Sequence, residues 1–191
     1  MRITGGEFCG RTLKVPKTDA VRPTQDRVRQ ALFNIIQHEV AGSDFLDLFS
    51  GSGAVGMEAL SRGANSATFV EANRRHVAVL KENLAIVEGG RRPQVDCVCA
   101  DVYRWIGSYS GKGFSIGFAD PPYALGEEKG YASVLTTLAE RGIIRPGGLF
   151  MAEMTAVQKA EETPGWELLR DRTYGKTRLC LWRRTGGGSG K

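Results

Sequence analysis

Asp120-Pro121-Pro122-Tyr123 brings together a carboxylate, two rigid backbone units and an aromatic ring. The four residues follow an apolar run, Phe114 to Ala119, that reads as a buried strand. Each proline fixes φ and removes a backbone donor, and Pro121 also holds Asp120 extended. What remains is a stiff loop rich in acceptors: the Asp120 carboxylate and free backbone carbonyls, with the Tyr123 ring beside them. Such a loop suits a planar exocyclic NH2 group, which is a poor nucleophile because its lone pair is delocalised into its ring. Acceptors on both hydrogens favour rehybridisation and aim the lone pair at an electrophile, while the aromatic ring stacks on the base. Read by itself, the tetrapeptide is equally a proline-rich turn closing a strand.

A site for the electrophile lies upstream. The run Asp44 to Ser50, interrupted by Asp47, leads into Gly51-Ser52-Gly53-Ala54-Val55-Gly56. Helical spacing of Val55, Met57, Ala59 and Leu60 follows, and Gly63 stops it. Strand, glycine-rich turn and helix are the context that a nucleotide-binding fingerprint requires, and the glycines let a cofactor approach the backbone. A second strand, Ala67 to Val70, ends in Glu71, and a third, Val95 to Ala100, ends in Asp101. A carboxylate about twenty residues after the glycines suits acceptance from ribose hydroxyls. Each acid alone is also compatible with a solvated strand end, and Asp101 with a helix N-cap. Taken together, Asp47, Glu71, Asp101 and Asp120 close four strands on the edge where open parallel sheets bind ligands.

The motifs DLFSGSG, FVEAN, CAD and DPPY, in this order and spacing, resemble those of class I S-adenosylmethionine-dependent methyltransferases acting on exocyclic amines. RITGGEFCGRTLKVP (Arg2 to Pro16) and RPTQDRVRQALFN (Arg22 to Asn34) narrow the likeness to the bacterial 16S ribosomal RNA guanine-N2 methyltransferases, and IIRPGGLFMAE (Ile143 to Glu153) and TYGKTRL (Thr173 to Leu179) fit the same pattern. Ser50 stands where alanine is common in that family, and Gln30 where an acid is usual. The resemblance implies an α/β fold, a doubly wound seven-stranded Rossmann-like sheet with its last strand antiparallel. It implies S-adenosylmethionine as cofactor, 16S RNA within the small ribosomal subunit as partner, and Arg22, Pro23 and Thr24 bordering the methionine end of the cofactor.

Charge is distributed unevenly along the 191 residues. Residues 1–30 and 166–184 each carry a net +4, whereas residues 31–165 carry −4. Basic ends around an acidic middle suit a docked polyanion, although such residues also solvate exposed strands. Arg2, Arg11, Lys14 and Lys17 are the candidate RNA contacts. No run of eighteen apolar residues is present, so no membrane span is expected. Met1-Arg2-Ile3-Thr4 opens no signal peptide, and a cytoplasmic monomer is expected. The four cysteines lack a C-x-x-C pattern with partner histidines, so reduced thiols and no metal are expected. His38 and His76 read as ordinary helix residues.

The remaining elements frame the site. Arg2 to Phe8 and Thr12 to Val15 read as a β-hairpin too short to stand alone, linked by Pro16 to Pro23 to a helix over Thr24–Val40. Thr24 is the expected N-cap, and Val28, Ala31, Leu32, Ile35 and Ile36 the expected apolar face. A helix over Tyr131–Arg141, a turn at Pro146-Gly147-Gly148, a strand over Leu149–Glu153 and a hairpin of Trp166–Arg172 with Thr177–Arg183 complete the pattern. The expected organisation is an N-terminal hairpin and linker over 1–23, a methyltransferase domain over 24–185 and a disordered tail over 186–191.

In this reading Glu71 holds the ribose diol, Asp101 accepts from the adenine amine, Gly51 and Gly53 make room for the methionine half, and Asp47 lies near its ammonium. A guanine flips out of its RNA context. Asp120 and the Pro121 carbonyl hold its N2, and Tyr123 stacks on it. Other substrates for the same chemistry are adenine N6 in DNA and a protein glutamine. A nicotinamide-dependent dehydrogenase would use the glycines and Glu71 but leave DPPY unexplained. A catalytically idle ribosome-assembly protein would keep the fold alone.

Overall fold

The computed structural model describes residues 1–16, 26–85, 93–121 and 123–186, without the side chains of 123–130. Lys17, Arg22, Pro23, Thr24, Pro122 and the tail from 187 onward lie outside the described residues. Seven strands form one sheet in the order β3-β2-β1-β4-β5-β7-β6, and the chain divides into two compact units, Met1–Val102 and Tyr103–Lys191.

In the first unit, β1 (Asp44–Leu48), β2 (Ser66–Glu71) and β3 (Gln94–Cys99) pair in parallel. Helices α1 (Asp26–Ile35), α2 (Ala54–Ser61) and α3 (Arg74–Leu84) connect and cover them. Strands β1 and β2 are buried almost throughout, which is why Phe45-Leu46 and Ala67-Thr68-Phe69-Val70 do not alternate with charged residues. Helix α1 ends at Ile35, short of the expected Val40. Its buried side also differs from expectation: Ile35 is exposed, whereas Arg29 and Phe33 are buried with Val28 and Leu32. The reason is packing. Phe33 stacks on Phe45 of β1 with centroids 6.2 Å apart, and burying one such ring is worth about 1.5–3 kcal/mol.

The expected N-terminal hairpin is a chain reversal with a single antiparallel bridge, Arg2↔Thr12, and not two strands. Ile3, Gly10 and Leu13 N–H groups donate across the reversal, and three other backbone donors reach α2. Thr4 N–H donates to Glu58 Oε2 at 2.8 Å, Glu7 N–H to the Ser61 carbonyl at 2.8 Å and Phe8 N–H to Ser61 Oγ at 2.9 Å. The segment therefore leans on the main body, as its length requires. Beneath it, Arg29 Nε donates to Glu58 Oε2 at 3.3 Å and Arg62 Nε to Glu58 Oε1 at 2.7 Å. Arg29 Nη2 also donates to the Arg2 carbonyl. Both Arg29 and Glu58 are fully buried, and each has a second ion partner, Asp26 for Arg29 at 3.0 Å and Arg62 for Glu58.

Helix α4 (Val102–Ser108) follows β3. In the second unit, β4 (Phe114–Ala119) and β5 (Ile144–Thr155) are parallel. Strand β7 (Thr177–Arg184) runs antiparallel to both β5 and β6 (Trp166–Tyr174), so the last strand is antiparallel as the resemblance implied. Strand β5 begins at Ile144, five residues before the expected start. The pairing passes from Phe114↔Ile144 to Ile116↔Leu149, and the Pro146-Gly147-Gly148 turn is absorbed as an irregularity inside the strand. Helix α5 runs Tyr123–Glu140 and so begins within the DPPY tetrapeptide, eight residues ahead of expectation. Phe150, Trp166 and Trp182 pack together beneath α5, and Trp166 Nε1 donates to the Leu135 carbonyl at 2.9 Å. Among the described residues no helix is long and apolar enough to cross a membrane.

Candidate active site

The glycine-rich loop is built by backbone conformations that the sequence permits at few places. Gly51 and Gly53 have φ of 54° and 81°, which L side chains rarely adopt. A Cβ on Gly53 would sit 2.2 Å from Leu80 Cδ1, whereas one on Gly51 would meet nothing within 4 Å. Gly53 is thus closed by packing, and Gly51 presents an open side. Phe49 has φ 57°, the only non-glycine residue with positive φ among the described residues. Conformations of this kind cluster at functional sites.

Two carboxylates hold the loop. Asp47 Oδ2 accepts from Gly56 N–H at 2.8 Å. Gly56 is in the first turn of α2, whose N-cap Gly53 offers no side chain, so Asp47 satisfies a helix-end donor from below. Its carboxylate is 1% exposed. Burial pushes its pKa up to about 7, the Gly56 N–H opposes this, and the charge of Glu71 adds to it. Asp47 thus holds the loop at the start of α2. Glu71 closes β2. Its Oε2 accepts from Gly51 N–H at 2.9 Å and its Oε1 from Asn73 N–H at 2.7 Å, with His76 Nδ1 3.6 Å away. An ionised carboxylate has about four lone-pair sites, so two backbone donors orient Glu71 and leave acceptor capacity on both oxygens.

Asp101 stands one strand over. Glu71 pairs with Cys99, and the Glu71 carbonyl accepts from Ala100 N–H at 3.1 Å. Asp101 is exposed and immediately precedes α4. Ser50, at the head of the loop, is 9% exposed, and its Oγ has no hydrogen-bond partner among the described residues. One edge of the first unit thus brings together Ser50, Gly51, Gly53, Glu71 and Asp101, with Asp47 below. An open glycine face, an unpartnered hydroxyl and a pre-oriented carboxylate fit the donor and acceptor set of an adenosyl amino-acid cofactor.

In the second unit, Asp120 and Pro121 come directly after β4, Asp120 half-buried and Pro121 buried. Tyr123 is the first residue of α5. Sequence reasoning missed Tyr131, whose Oη donates to the Glu153 carbonyl at 2.7 Å. Burial and, behind it, the charge of Asp120 hold its phenol well above the usual range. Tyr131 is therefore a neutral neighbour of Asp120 throughout the physiological range.

Along residues 1–183 the chain matches the family described as conserved hypothetical protein 95. The chain belongs to this family. It is 34% identical over 187 residues to ribosomal RNA small subunit methyltransferase D of Escherichia coli, covering 96% of this chain and 90% of that protein. It is 33% identical over 187 residues to YlbH of Bacillus subtilis, named as a candidate rRNA methyltransferase, covering 97% and 100%. The solved structure of yhhF from Escherichia coli, described as a candidate methyltransferase, superposes with a TM-score of 0.85 at 30% identity, covering 97% of this chain and 98% of that one.

A second residue missed by sequence reasoning also shapes the loop in this family member. Asn83 is 1% exposed on α3. Its Oδ1 accepts from Lys14 N–H at 2.8 Å, and its Nδ2 donates to the Lys14 and Ser52 carbonyls, each at 3.0 Å. One amide thus ties the N-terminal segment to the glycine-rich loop. The sequence carried a faint signal for it, since Val77, Leu80 and Asn83 follow helical spacing along the buried side. Of the candidate RNA contacts, Arg2, Arg11 and Lys14 are exposed. Arg11 lies over the Phe8 ring at 5.0 Å, and Lys14 Nζ pairs with Glu82 at 2.7 Å.

Proposed function

We propose that this chain transfers a methyl group from S-adenosylmethionine to the exocyclic N2 of a guanine in 16S ribosomal RNA. The observation that carries the cofactor half is the Glu71 carboxylate, fixed by Gly51 and Asn73 N–H groups with lone pairs to spare. Those lone pairs accept from the ribose diol, and exposed Asp101 accepts from the adenine amine. The open side of Gly51 and the Ser50 hydroxyl receive the methionine half, the end of the cofactor to which the resemblance alone assigns Arg22, Pro23 and Thr24. Asp47 holds Gly56 at the head of α2 and lies near the ammonium of the methionine half. When bound, S-adenosylmethionine supplies a methyl group already made electrophilic by its sulfonium.

The acceptor half rests on Asp120 and Pro121 at the end of β4. Asp120 and the Pro121 carbonyl take the two hydrogens of N2 and aim its lone pair, and Tyr123 stacks on the flipped base. The rate advantage is mainly proximity and orientation. The alkylated amine is strongly acidic and releases its proton to Asp120 or to water. Ribosomal RNA as substrate is supported by the name of the Escherichia coli relative. Guanine N2 is supported by the DPPY tetrapeptide and by the resemblance carried in RPTQDRVRQALFN.

The test is label transfer from methyl-labelled S-adenosylmethionine to small subunits from cells lacking the corresponding methyltransferase. Label in the 16S RNA is expected. Label confined to protein, or none, would contradict the proposal.

A further inference from the structure

We propose that the β6 edge and the β6–β7 hairpin tip form a second RNA contact, which holds the strand flanking the target base. The inference rests on the RNA-methylating reading above. Strand β7 is antiparallel to both neighbours, so β6 runs in the same direction as β5 and β4. The C-terminal ends Ala119, Thr155 and Tyr174 therefore share one edge of this unit, the edge on which Asp120 and Pro121 stand. Ala156 N–H donates to the Lys176 carbonyl at 3.0 Å and ties the tip to the end of β5. Three strand spacings separate β4 from β6, about 14 Å, a span of a few nucleotides.

Side-chain alternation gives this edge its chemistry. Arg170, Arg172 and Tyr174 lie on one face of β6, and Asp171 and Thr173 on the other. All three residues of that stripe are exposed, as is Lys176 in the turn beyond it. Arg170 and Arg172 each spend a hydrogen bond on the carbonyl of the residue before, and a guanidinium has five N–H donors. Asp171, the one acid between Arg170 and Arg178, is engaged by Arg178 through bonds of 2.7 and 2.5 Å. Its carboxylate accepts from Arg178, and to Arg172 it offers only a through-space attraction. Charges on a terminal strand also prevent edge-to-edge pairing, and that accounts for the arginines. It does not account for an exposed aromatic ring, Tyr174, at the end of the same stripe, with Val157 exposed by 83% just past the end of β5. Cations that follow a phosphate backbone and a ring on which a base can stack are what single-stranded RNA requires.

The experiment is a binding titration of small subunits lacking the mark, at several salt concentrations, with wild type, Tyr174→Ala, Tyr174→Phe and Lys176→Ala. Tyr174→Ala is expected to weaken binding about tenfold and Tyr174→Phe less than threefold. Lys176→Ala should lower the slope of log K against log salt by about one. Melting temperature and S-adenosylmethionine affinity should match wild type in all three, which separates a lost contact from a damaged fold. Unchanged affinity in Tyr174→Ala would overturn the inference. So would weaker binding in Lys176→Ala with no change in salt slope, because that marks a protein contact. A wild-type protein that labels no RNA would instead sink the RNA-methylating reading, before any variant is compared.

Discussion

Asn83→Ala tests whether the N-terminal segment and the glycine-rich loop are held by one side chain. The substitution removes three hydrogen bonds of 2.8, 3.0 and 3.0 Å. The two bonds on the Lys14 backbone are only partly buried, so water can replace those partners. Ser52 is 6% exposed, so its carbonyl is left unpaired, at a cost of roughly 1–3 kcal/mol. The two water-replaceable bonds add about 0.5–1 kcal/mol each. A total loss of about 2–5 kcal/mol is expected from urea denaturation, with the fold retained. Ser52 lies between Gly51 and Gly53, so S-adenosylmethionine should also bind several-fold more weakly by calorimetry. Asn83→Asp adds a control in pH. Its carboxylate would face two carbonyl oxygens in a buried position, which raises its folded pKa above the unfolded value near 3.9. The folded form then holds more protons than the unfolded one, so stability should fall as pH rises above about 4. A loss below 0.5 kcal/mol in Asn83→Ala, with unchanged cofactor affinity, would refute the reasoning.

Glu71→Ala should weaken S-adenosylmethionine by roughly 1.5–3 kcal/mol, the scale of lost charge-assisted hydrogen bonds. Because Glu71 also anchors Gly51 and Asn73, stability should drop by about 1–2 kcal/mol; calorimetry and denaturation read the two effects separately. Asp47 has a folded pKa of about 7 against 3.8 ordinarily, so the folded chain binds the extra proton and loses stability as pH rises from about 4 to 7. Asp47→Asn removes that slope and should be the more stable protein at pH 8 by roughly 2–4 kcal/mol; parallel stability curves would exclude the shift. Asp120→Ala should cut single-turnover methylation by about two orders of magnitude or more, with RNA and cofactor affinities changed far less. A wild-type rate would reduce the DPPY segment to a stiff turn. Reversing Arg11 and Lys14 to glutamate should weaken RNA binding in a salt-dependent way and spare cofactor binding; unaltered RNA affinity would remove the N-terminal segment from the interface.

The order of elements was legible because the inner strands are short, mostly apolar runs with an acid at or near the end. Asp44–Leu48, Ser66–Glu71 and Phe114–Ala119 are buried along most of their length, and that burial dictates their composition. The glycine-rich loop and Glu71 were readable for a similar reason, since positive φ and a strand-end carboxylate each restrict residue type. Boundaries failed where sheet context overrode local preference. Pro146-Gly147-Gly148 reads as a turn, yet β5 carries it as an irregularity. The start of α5 is masked in sequence by two prolines before it and by Gly126 and Gly130 within it. Asn83 and the Arg29–Glu58 pair were out of reach for another reason. Their partners stand 69 and 29 residues away, and no local pattern encodes a contact of that range. Asp47 shows the same limit on a smaller scale: its position in the motif was readable, but its turn toward Gly56 was not.

The central claim is that the amine methylated is N2 of a guanine. The most direct measurement is nuclease digestion of 16S RNA methylated by this protein, followed by mass spectrometry of the labelled nucleoside. N2-methylguanosine at a single position, absent with Asp120→Ala, is the expected result. Label in N6-methyladenosine, or spread over many nucleotides, would contradict the account.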